Sequence, residues 1–142
     1  MLSDEFIRSN YLYIRLSQMQ HKILLVDDEH DIAIILAEML KTAGFGVDCF
    51  TDPALALEHF NKHSPDYSLG LFDIKMSSLD SGIELANVVH QTRPDIAIML
   101  MTAFDVEVYD LPPFIKKEDV IKKPFGKKEL LEAVRRQLNI VV

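Results

Sequence analysis

The feature that most constrains the fold is a series of short apolar runs separated by amphipathic segments. The first run is Ile23-Leu24-Leu25-Val26, and residues 96–101 are likewise apolar at every position. Shorter or more interrupted runs cover residues 47–50, 67–72 and 120–121. Runs that are apolar throughout, instead of alternating, are typical of strands buried on both faces. They predict a parallel sheet.

The segments between these runs have the periodicity of helices. After the first run, apolar residues fall on one stripe at helical spacing, namely Ile32, Ile35, Leu36, Met39, Leu40 and Ala43. Gly44 predicts the end of that helix, and Asp52-Pro53 predicts the start of the next. Further helices are predicted over residues 82–90 and 127–138. Alternating strands and helices predict an α/β fold, a doubly wound five-stranded parallel sheet with helices on both faces.

Length and composition place one domain in the chain. At 142 residues it is long enough for a single domain, which we assign to residues 21–142. Residues 1–20 are predicted to be an N-terminal extension, at most a marginal helix because Ser9-Asn10 interrupts its apolar pattern. Neither a secretory signal nor an apolar run long enough to span a bilayer is visible. A single cysteine, Cys49, cannot form an internal disulfide, so the predicted compartment is the cytoplasm.

Polar side chains gather where the predicted strands end. The first strand runs into Asp27-Asp28-Glu29, the third into Asp73, the fourth into Thr102 and the fifth into Lys122-Lys123. In open parallel sheets the carboxyl ends of the strands share one edge, which is where ligands bind. The sequence therefore predicts a cluster of carboxylates with one hydroxyl and at least one ammonium group.

Such a cluster points to metal-assisted phosphoryl chemistry. Carboxylates packed together repel one another, and a hard divalent cation such as Mg²⁺ relieves that repulsion. The cation also offsets the repulsion between an anionic nucleophile and an incoming phosphoryl group. A carboxylate can itself accept the phosphoryl group as an aspartyl phosphate.

On these motifs the chain resembles the response-regulator receiver domains of two-component signalling. The matching segments are ILLVDDE (23–29), LFDIKM (71–76), MTAF (101–104) and KPF (123–125), each at the end of a predicted strand. The resemblance covers residues 21–142 and implies a flavodoxin-like sheet with the strand order 2-1-3-4-5. It also implies a phosphorylatable signalling module and not an enzyme. The only reactions of such a module are its own phosphorylation and dephosphorylation.

The resemblance implies a role for each site residue. Asp73 would accept the phosphoryl group, with Thr102 and Lys123 binding its oxygens. Magnesium would be held by Asp27, Asp28, Asp73 and the backbone carbonyl of Lys75. Lys122 competes with Lys123, but the family's lysine immediately precedes a proline, and that X-Pro bond is usually cis. Bulky Phe104, two residues after Thr102, is predicted to shield the acyl phosphate from water.

The resemblance also implies partners. The phosphoryl donor would be a sensor histidine kinase or a phosphotransfer protein, and we expect the output to pass through another protein, whose identity the sequence does not give. A net charge of −7 argues against direct binding to nucleic acid. No membrane insertion is expected.

Three departures from the family pattern predict an altered switch. Val120 stands where the family carries an aromatic residue, and the loop over residues 76–82 lacks the usual proline, with Ser81 as an insertion or a replaced glycine. Pro112-Pro113 interrupts the fourth helix of the family, which is therefore predicted to be short or irregular. We expect at most a short helical turn near residues 106–110, then an irregular loop that carries Leu111 and Phe114 near the surface. A surface formed by this irregular segment favours binding of a dedicated partner or formation of an unusual dimer.

Three alternatives remain at this point. A pseudo-receiver would act through protein contacts alone, and Val120 keeps that reading open. A haloacid-dehalogenase-like phosphatase needs a second acid two residues after a nucleophile at the end of the first strand. Asp27 is followed there by Glu29, a conservative match at best, and Asp73 by Lys75. A flavodoxin-like FMN-binding module needs a first loop that cradles phosphate, whereas Asp27-Asp28-Glu29 repels it.

Overall fold

A parallel five-stranded sheet forms the centre of the protein in the computed structural model, which describes residues 1–77 and 81–141. The strands are β1 (Lys22–Val26), β2 (Gly46–Phe50), β3 (Leu69–Asp73), β4 (Ala97–Thr102) and β5 (Val120–Lys122). All four neighbouring pairs are parallel, and the strand order is β2-β1-β3-β4-β5. The predicted doubly wound topology and strand order are confirmed.

Helices cover both faces of this sheet. On one face lie α2 (His30–Ala43) and α5 (Lys127–Gln137), and on the other lie α3 (Pro53–His63) and α4 (Ser81–Thr92). A further helix, α1 (Asp4–Met19), precedes the sheet and is largely exposed. The predicted helix ends are confirmed: Gly44 ends α2 with a φ of 112°, and the Asp52 side chain accepts a hydrogen bond from the backbone N–H of Ala54 at the start of α3. Within the described residues, no helix combines the length and apolarity needed to cross a membrane.

Alternate residues of β1 contribute side chains to two separate hydrophobic cores, one on each face of the sheet. Ile23 and Leu25 pack with apolar residues of α2 and α5, whereas Leu24 and Val26 pack with those of α3 and α4. All four side chains are fully buried, because successive residues of a strand point to opposite faces. A sheet covered on both faces leaves its strand ends as the place where polar side chains can meet.

The N-terminal segment is a continuous helix, so the predicted interruption at Ser9-Asn10 is wrong. The helix begins with a capping hydrogen bond from Phe6 N–H to the Ser3 hydroxyl, and its last turn is fixed to the rest of the protein. The amide of buried Gln18 donates to the carbonyl of Ala43 at the end of α2, and Arg135 Nε of α5 donates to Gln18 Oε1 at 2.7 Å. These long-range bonds stabilise a helix that its own sequence makes marginal.

The connection from β4 to β5 lacks a regular helix, which confirms the prediction made from Pro112-Pro113. It contains two 3-10 turns, Val106–Val108 and Lys117–Asp119. Leu111 and Phe114 lie near the surface as predicted, but both side chains are half-buried and pack on the α3/α4 core, which the sequence did not predict. The Phe114 ring stacks on His90 of α4 with the ring centroids 3.8 Å apart. Apolar burial thus replaces helical hydrogen bonding in this connection.

The loop after β3 is described only in part. Ser81 is the first residue of α4, so it belongs to a helix and not to an extended loop. The remaining prediction about this loop concerns residues 78–80, which lie outside the described residues.

Candidate functional site

The strand ends meet at one edge of the sheet, as the sequence predicts. Asp27 directly follows β1, Asp73 ends β3, Thr102 ends β4, and Lys123 directly follows β5. The backbone N–H of Lys123 donates to the carbonyl of Thr102 at 2.7 Å, which holds the last two strand ends together. A cleft of about 320 Å³ opens here, lined by Asp28, Glu29, Asp73, Lys75, Met76, Thr102, Ala103, Phe104 and Lys123.

Three of the predicted acids are brought together. Asp27, Asp28 and Asp73 each place one carboxylate oxygen within 4.8 Å of the others. Asp27 is fully buried and Asp73 is 6% exposed, whereas Asp28 lies at the surface. The Asp27 carboxylate also accepts the backbone N–H of Glu29 at 3.0 Å, which fixes its orientation. The trio combines two buried acids with one that solvent can reach.

Lys123 is the lysine that enters this cluster. Its Nζ lies 2.7 Å from Asp27 Oδ2 and 3.4 Å from Asp73 Oδ1. Lys122 points away and pairs with Asp105 at 2.6 Å on the surface. The Lys123-Pro124 peptide bond is cis, as the resemblance implies. The structure thus separates the two lysines that the sequence left in competition.

Burial and charge act together on the central carboxyl. Burial raises the pKa of Asp73, the nearby Asp27 raises it further, and the attraction of Lys123 opposes both, which leaves the pKa at about 6. Burial alone would lower the pKa of Lys123, but its hydrogen bond to Asp27 and the charge of Asp73 outweigh that effect and raise it. One ammonium group therefore does not fully compensate three carboxylates.

The donor set fits a hard divalent cation. The clustered ligand atoms are all carboxylate oxygens, the type that Mg²⁺ prefers, and one of the three acids remains open to solvent. Lys75 lines the same cleft and follows Asp73 by two residues in the sequence. The chemistry of the site is therefore compatible with the predicted magnesium.

Thr102 has a hydrogen-bond partner that the sequence did not predict. Its side chain is 2% exposed, and its Oγ1 accepts the backbone N–H of Phe104 at 3.0 Å. The same oxygen lies 2.8 Å from the hydroxyl of Tyr109, which follows the 3-10 turn at Val106–Val108. The signal available in the sequence was a tyrosine seven residues after Thr102, in a chain that lacks the aromatic residue expected at Val120.

Comparisons with known proteins agree on one family. A profile of the response regulator receiver domain matches residues 23–135. Over 121 residues the chain is 34% identical to the response regulator receiver protein CpdR of Brucella abortus, which covers 82% of this chain and 96% of CpdR.

Solved structures share the fold. A response regulator receiver domain protein from Clostridium thermocellum aligns with a TM-score of 0.72 at 22% identity, over 84% of this chain and 94% of that one. The DrrB receiver domain aligns with a TM-score of 0.65 at 25% identity, over 84% and 98% of the two chains. At these sequence identities, the structural similarity shows that the fold is shared.

Proposed function

The chain belongs to the response regulator receiver domain family of two-component systems, and from that premise we propose that it is phosphorylated on Asp73. The observation that carries this proposal is the placement of the Asp73 carboxylate. It lies at the end of the central strand β3, between the Lys123 ammonium at 3.4 Å and the acids Asp27 and Asp28. A carboxylate so placed is both a nucleophile and a ligand.

The proposed reaction is a transfer from phosphohistidine. A carboxylate oxygen of Asp73 attacks phosphorus, the phosphorus–nitrogen bond breaks, and the imidazole keeps the bonding electron pair and takes up a proton. The product is an acyl phosphate on Asp73. The Lys123 ammonium would bind one phosphoryl oxygen, and the Thr102 hydroxyl would donate to another.

Magnesium belongs to this proposal. The side chains of Asp27, Asp28 and Asp73 would hold it, together with the backbone carbonyl of Lys75. When bound, Mg²⁺ supplies positive charge that offsets the repulsion between a carboxylate and a phosphoryl group. The protein's own contribution is to keep two of the acids buried and in place. Asp27 is held by Lys123 and by the backbone N–H of Glu29, and Asp73 by Lys123.

The remaining assignments follow from the same premise. The phosphoryl donor is a sensor histidine kinase or a phosphotransfer protein, and the chain acts as an acceptor with self-phosphorylation and autodephosphorylation only. Residues 21–142 form the receiver domain in this proposal, and residues 1–20 are an extension to it. The DrrB receiver domain was solved in a BeF3-activated form, which supports beryllofluoride as the phosphoryl mimic for experiments on this chain.

Phosphorylation of Asp73 is directly testable. Incubation with acetyl phosphate and Mg²⁺ should add one phosphoryl group, stable in acid and labile in base, as measured by intact-protein mass spectrometry. Asp73→Asn should remove the adduct, because the amide is not a comparable nucleophile. Asp66→Asn is the matched control at an exposed acid, with its side chain 57% accessible, and it should be phosphorylated like the wild type.

The opposite outcomes are equally clear. An adduct at full yield on Asp73→Asn would move the acceptor to another residue. A wild-type protein that takes no phosphoryl group from acetyl phosphate or from phosphohistidine donors would favour the pseudo-receiver.

Phe104 should control how long the phosphoryl group survives. Its ring lies at the rim of the cleft, 47% exposed, with Lys75 Nζ 5.6 Å from the ring centroid. Phe104→Ala opens a path for water and should shorten the half-life of the adduct roughly fivefold, equivalent to about 1 kcal/mol of barrier. The rate is followed by the decay of the phosphorylated mass. Phe6→Ala removes an exposed ring from α1 and should leave the rate unchanged; an unchanged rate in Phe104→Ala would exclude the shielding role.

A further inference from the structure

We propose that Tyr109 is a positioning residue for the Thr102 hydroxyl and that it transmits phosphorylation to the connecting segment, defined as residues 105–117. This inference rests on the proposed function of Asp73. It assigns to a tyrosine outside the sheet the task of coupling the cleft to a surface segment.

The polar contacts of Thr102 place Tyr109 in direct contact with the site. Thr102 lines the cleft with Asp73, and the Tyr109 hydroxyl lies 2.8 Å from Thr102 Oγ1. Tyr109 is half-buried, with its ring packed on the α3/α4 core. This partly buried contact therefore joins the end of β4 to the connecting segment.

A count of donors and acceptors shows how phosphorylation changes this contact. A hydroxyl has one proton to donate and two lone pairs to accept, and the N–H of Phe104 already occupies one lone pair of Thr102. Before phosphorylation, the Thr102–Tyr109 bond can run in either direction. Once Thr102 gives its proton to a phosphoryl oxygen on Asp73, only Tyr109 can be the donor. Phosphorylation thus fixes the orientation of the Tyr109 hydroxyl.

The result is a chain of hydrogen bonds from Tyr109 through Thr102 to the phosphoryl group. The hydrogen bonds within such a chain polarise and strengthen one another. If Thr102 moves toward the phosphoryl group, Tyr109 either follows or leaves a partly buried hydroxyl without a partner, which is unfavourable. Either outcome favours a change in the position of Tyr109 and therefore of its backbone.

That backbone belongs to the part of the segment with the weaker ties, residues 105–109, because Leu111, Phe114 and Ile115 anchor the rest on the α3/α4 core. The Tyr109 N–H closes the 3-10 turn by donating to the Val106 carbonyl at 3.2 Å. The ion pairs at the two ends of the segment, Lys122 with Asp105 and Lys117 with Glu107, have side chains at least 60% exposed and therefore contribute little. The turn at residues 105–109 is consequently the part of the segment that can respond to Tyr109, and a change between order and disorder in a segment is an established switching device.

The sequence departure at Val120 fits this assignment. Val120 is half-buried beside β4 and has no hydroxyl group or ring with which to follow Thr102. The aromatic group that contacts Thr102 instead comes from the connecting segment. Phosphorylation should therefore be read out in this segment and not in β5.

Tyrosine spectroscopy can follow the proposed contact. With tyrosine labelled by ¹³C at Cζ, the chain gives four signals, from Tyr11, Tyr13, Tyr67 and Tyr109. Addition of beryllofluoride and Mg²⁺ should shift the Tyr109 signal and leave the other three in place. The shift should disappear in Thr102→Val, which keeps the shape but loses the hydroxyl, and should persist in Thr102→Ser.

Hydrogen exchange measures the consequence. Activation of the wild type should change the protection of residues 106–117, and Tyr109→Phe should reduce that change by at least half. Tyr13→Phe is the matched control, since its ring is 64% exposed on α1, and it should behave as the wild type. Tyr109→Phe keeps the packed ring, so it should fold normally.

Failure of this inference is distinguishable from failure of the proposed function. Mass spectrometry on parallel samples treated with acetyl phosphate reports whether Asp73 accepts the phosphoryl group. An adduct with an unmoved Tyr109 signal, or an undiminished exchange response in Tyr109→Phe, overturns the role of Tyr109 alone. Absence of any adduct and of any response to beryllofluoride overturns both.

Discussion

Replacing Gly82 by alanine should lower the free energy of unfolding by about 3 kcal/mol or more, at the upper end for overpacked sites. An alanine Cβ at this position would lie 2.1 Å from the carbonyl oxygen of Asp73 and 2.8 Å from Cα of Ile74. Both are backbone atoms, which cannot rotate out of the way as a flexible side chain can. The glycine therefore permits the close approach of α4 to the strand end that carries Asp73.

The same substitution should also disturb the site. The Gly82 N–H donates to the carbonyl of Ile74 at 2.8 Å, so helix and strand end are hydrogen-bonded at the point of contact. Relief of the clash must move α4, the chain after Asp73, or both. We expect slower formation of the phosphoryl adduct in whatever fraction of Gly82→Ala remains folded, because the carboxylate loses its alignment.

Gly126 provides the control. A Cβ added there meets no atom within 4 Å, and its φ of −91° suits any residue. Gly126→Ala should therefore change stability by less than about 1 kcal/mol, a loss that reflects only the poorer helix cap. Urea unfolding followed by circular dichroism measures both variants. If Gly82→Ala and the wild type were equally stable, α4 could move away from the strand end at no cost in the free energy of unfolding, and the argument would fail.

The sheet and most of the candidate site were predictable because local patterns determine them. Continuous apolar runs such as Ile23–Val26 are typical of strands buried on both faces, and parallel strands bring their carboxyl ends together. The positions of Asp27, Asp73, Thr102 and Lys123 follow from that geometry alone. Their proximity, although not their roles, can therefore be inferred from the sequence.

The helix at the N-terminus shows where local reasoning fails. Its sequence is unfavourable at Ser9-Asn10, yet the helix is continuous because contacts distant in sequence hold its last turn. The hydrogen bond between Gln18 and Arg135 joins residues 117 positions apart. No window of sequence contains such a bond, so propensity was overridden by tertiary contacts.

The connection between β4 and β5 was predictable in part. Pro112-Pro113 excludes a regular helix through steric clash and a missing donor, and this effect is local. The burial of Phe114 depends on His90, which lies on α4, and the contact of Tyr109 with Thr102 depends on how the loop returns to the sheet. Sequence reasoning could identify the irregular segment but not its partners.

Replacing Asp73 by asparagine should stabilise the metal-free protein at neutral pH while removing the proposed acceptor. The pKa of Asp73 is raised from an ordinary value of 3.8 to about 6, first by burial and then by the charge of Asp27. A shift of this size corresponds to at most about 3 kcal/mol of unfavourable free energy in the ionised, folded state. Asparagine is nearly isosteric and carries no charge, so it avoids most of that cost.

The sign of the pH dependence follows from the direction of the shift. Because the folded protein binds the Asp73 proton more tightly than the unfolded chain does, this carboxyl favours folding below pH 4. That contribution is lost as the pH rises through about 6. Asp73→Asn should therefore match the wild type near pH 4 and exceed it increasingly between pH 4 and pH 7. Urea unfolding at a series of pH values, in the presence of a chelator, measures the difference.

Magnesium and a second acid complete the test. Mg²⁺ should stabilise the wild type more than Asp73→Asn and so narrow the difference, because the variant lacks one carboxylate ligand. Asp95→Asn is the control at an exposed acid whose pKa is lowered by its hydrogen bond to Arg93, and it should give no stabilisation. A variant at Asp73 that is less stable than the wild type at pH 7 would contradict the argument. The attraction of Lys123 would then exceed the combined effects of burial and of Asp27, and the three acids would not need a cation to relieve their repulsion.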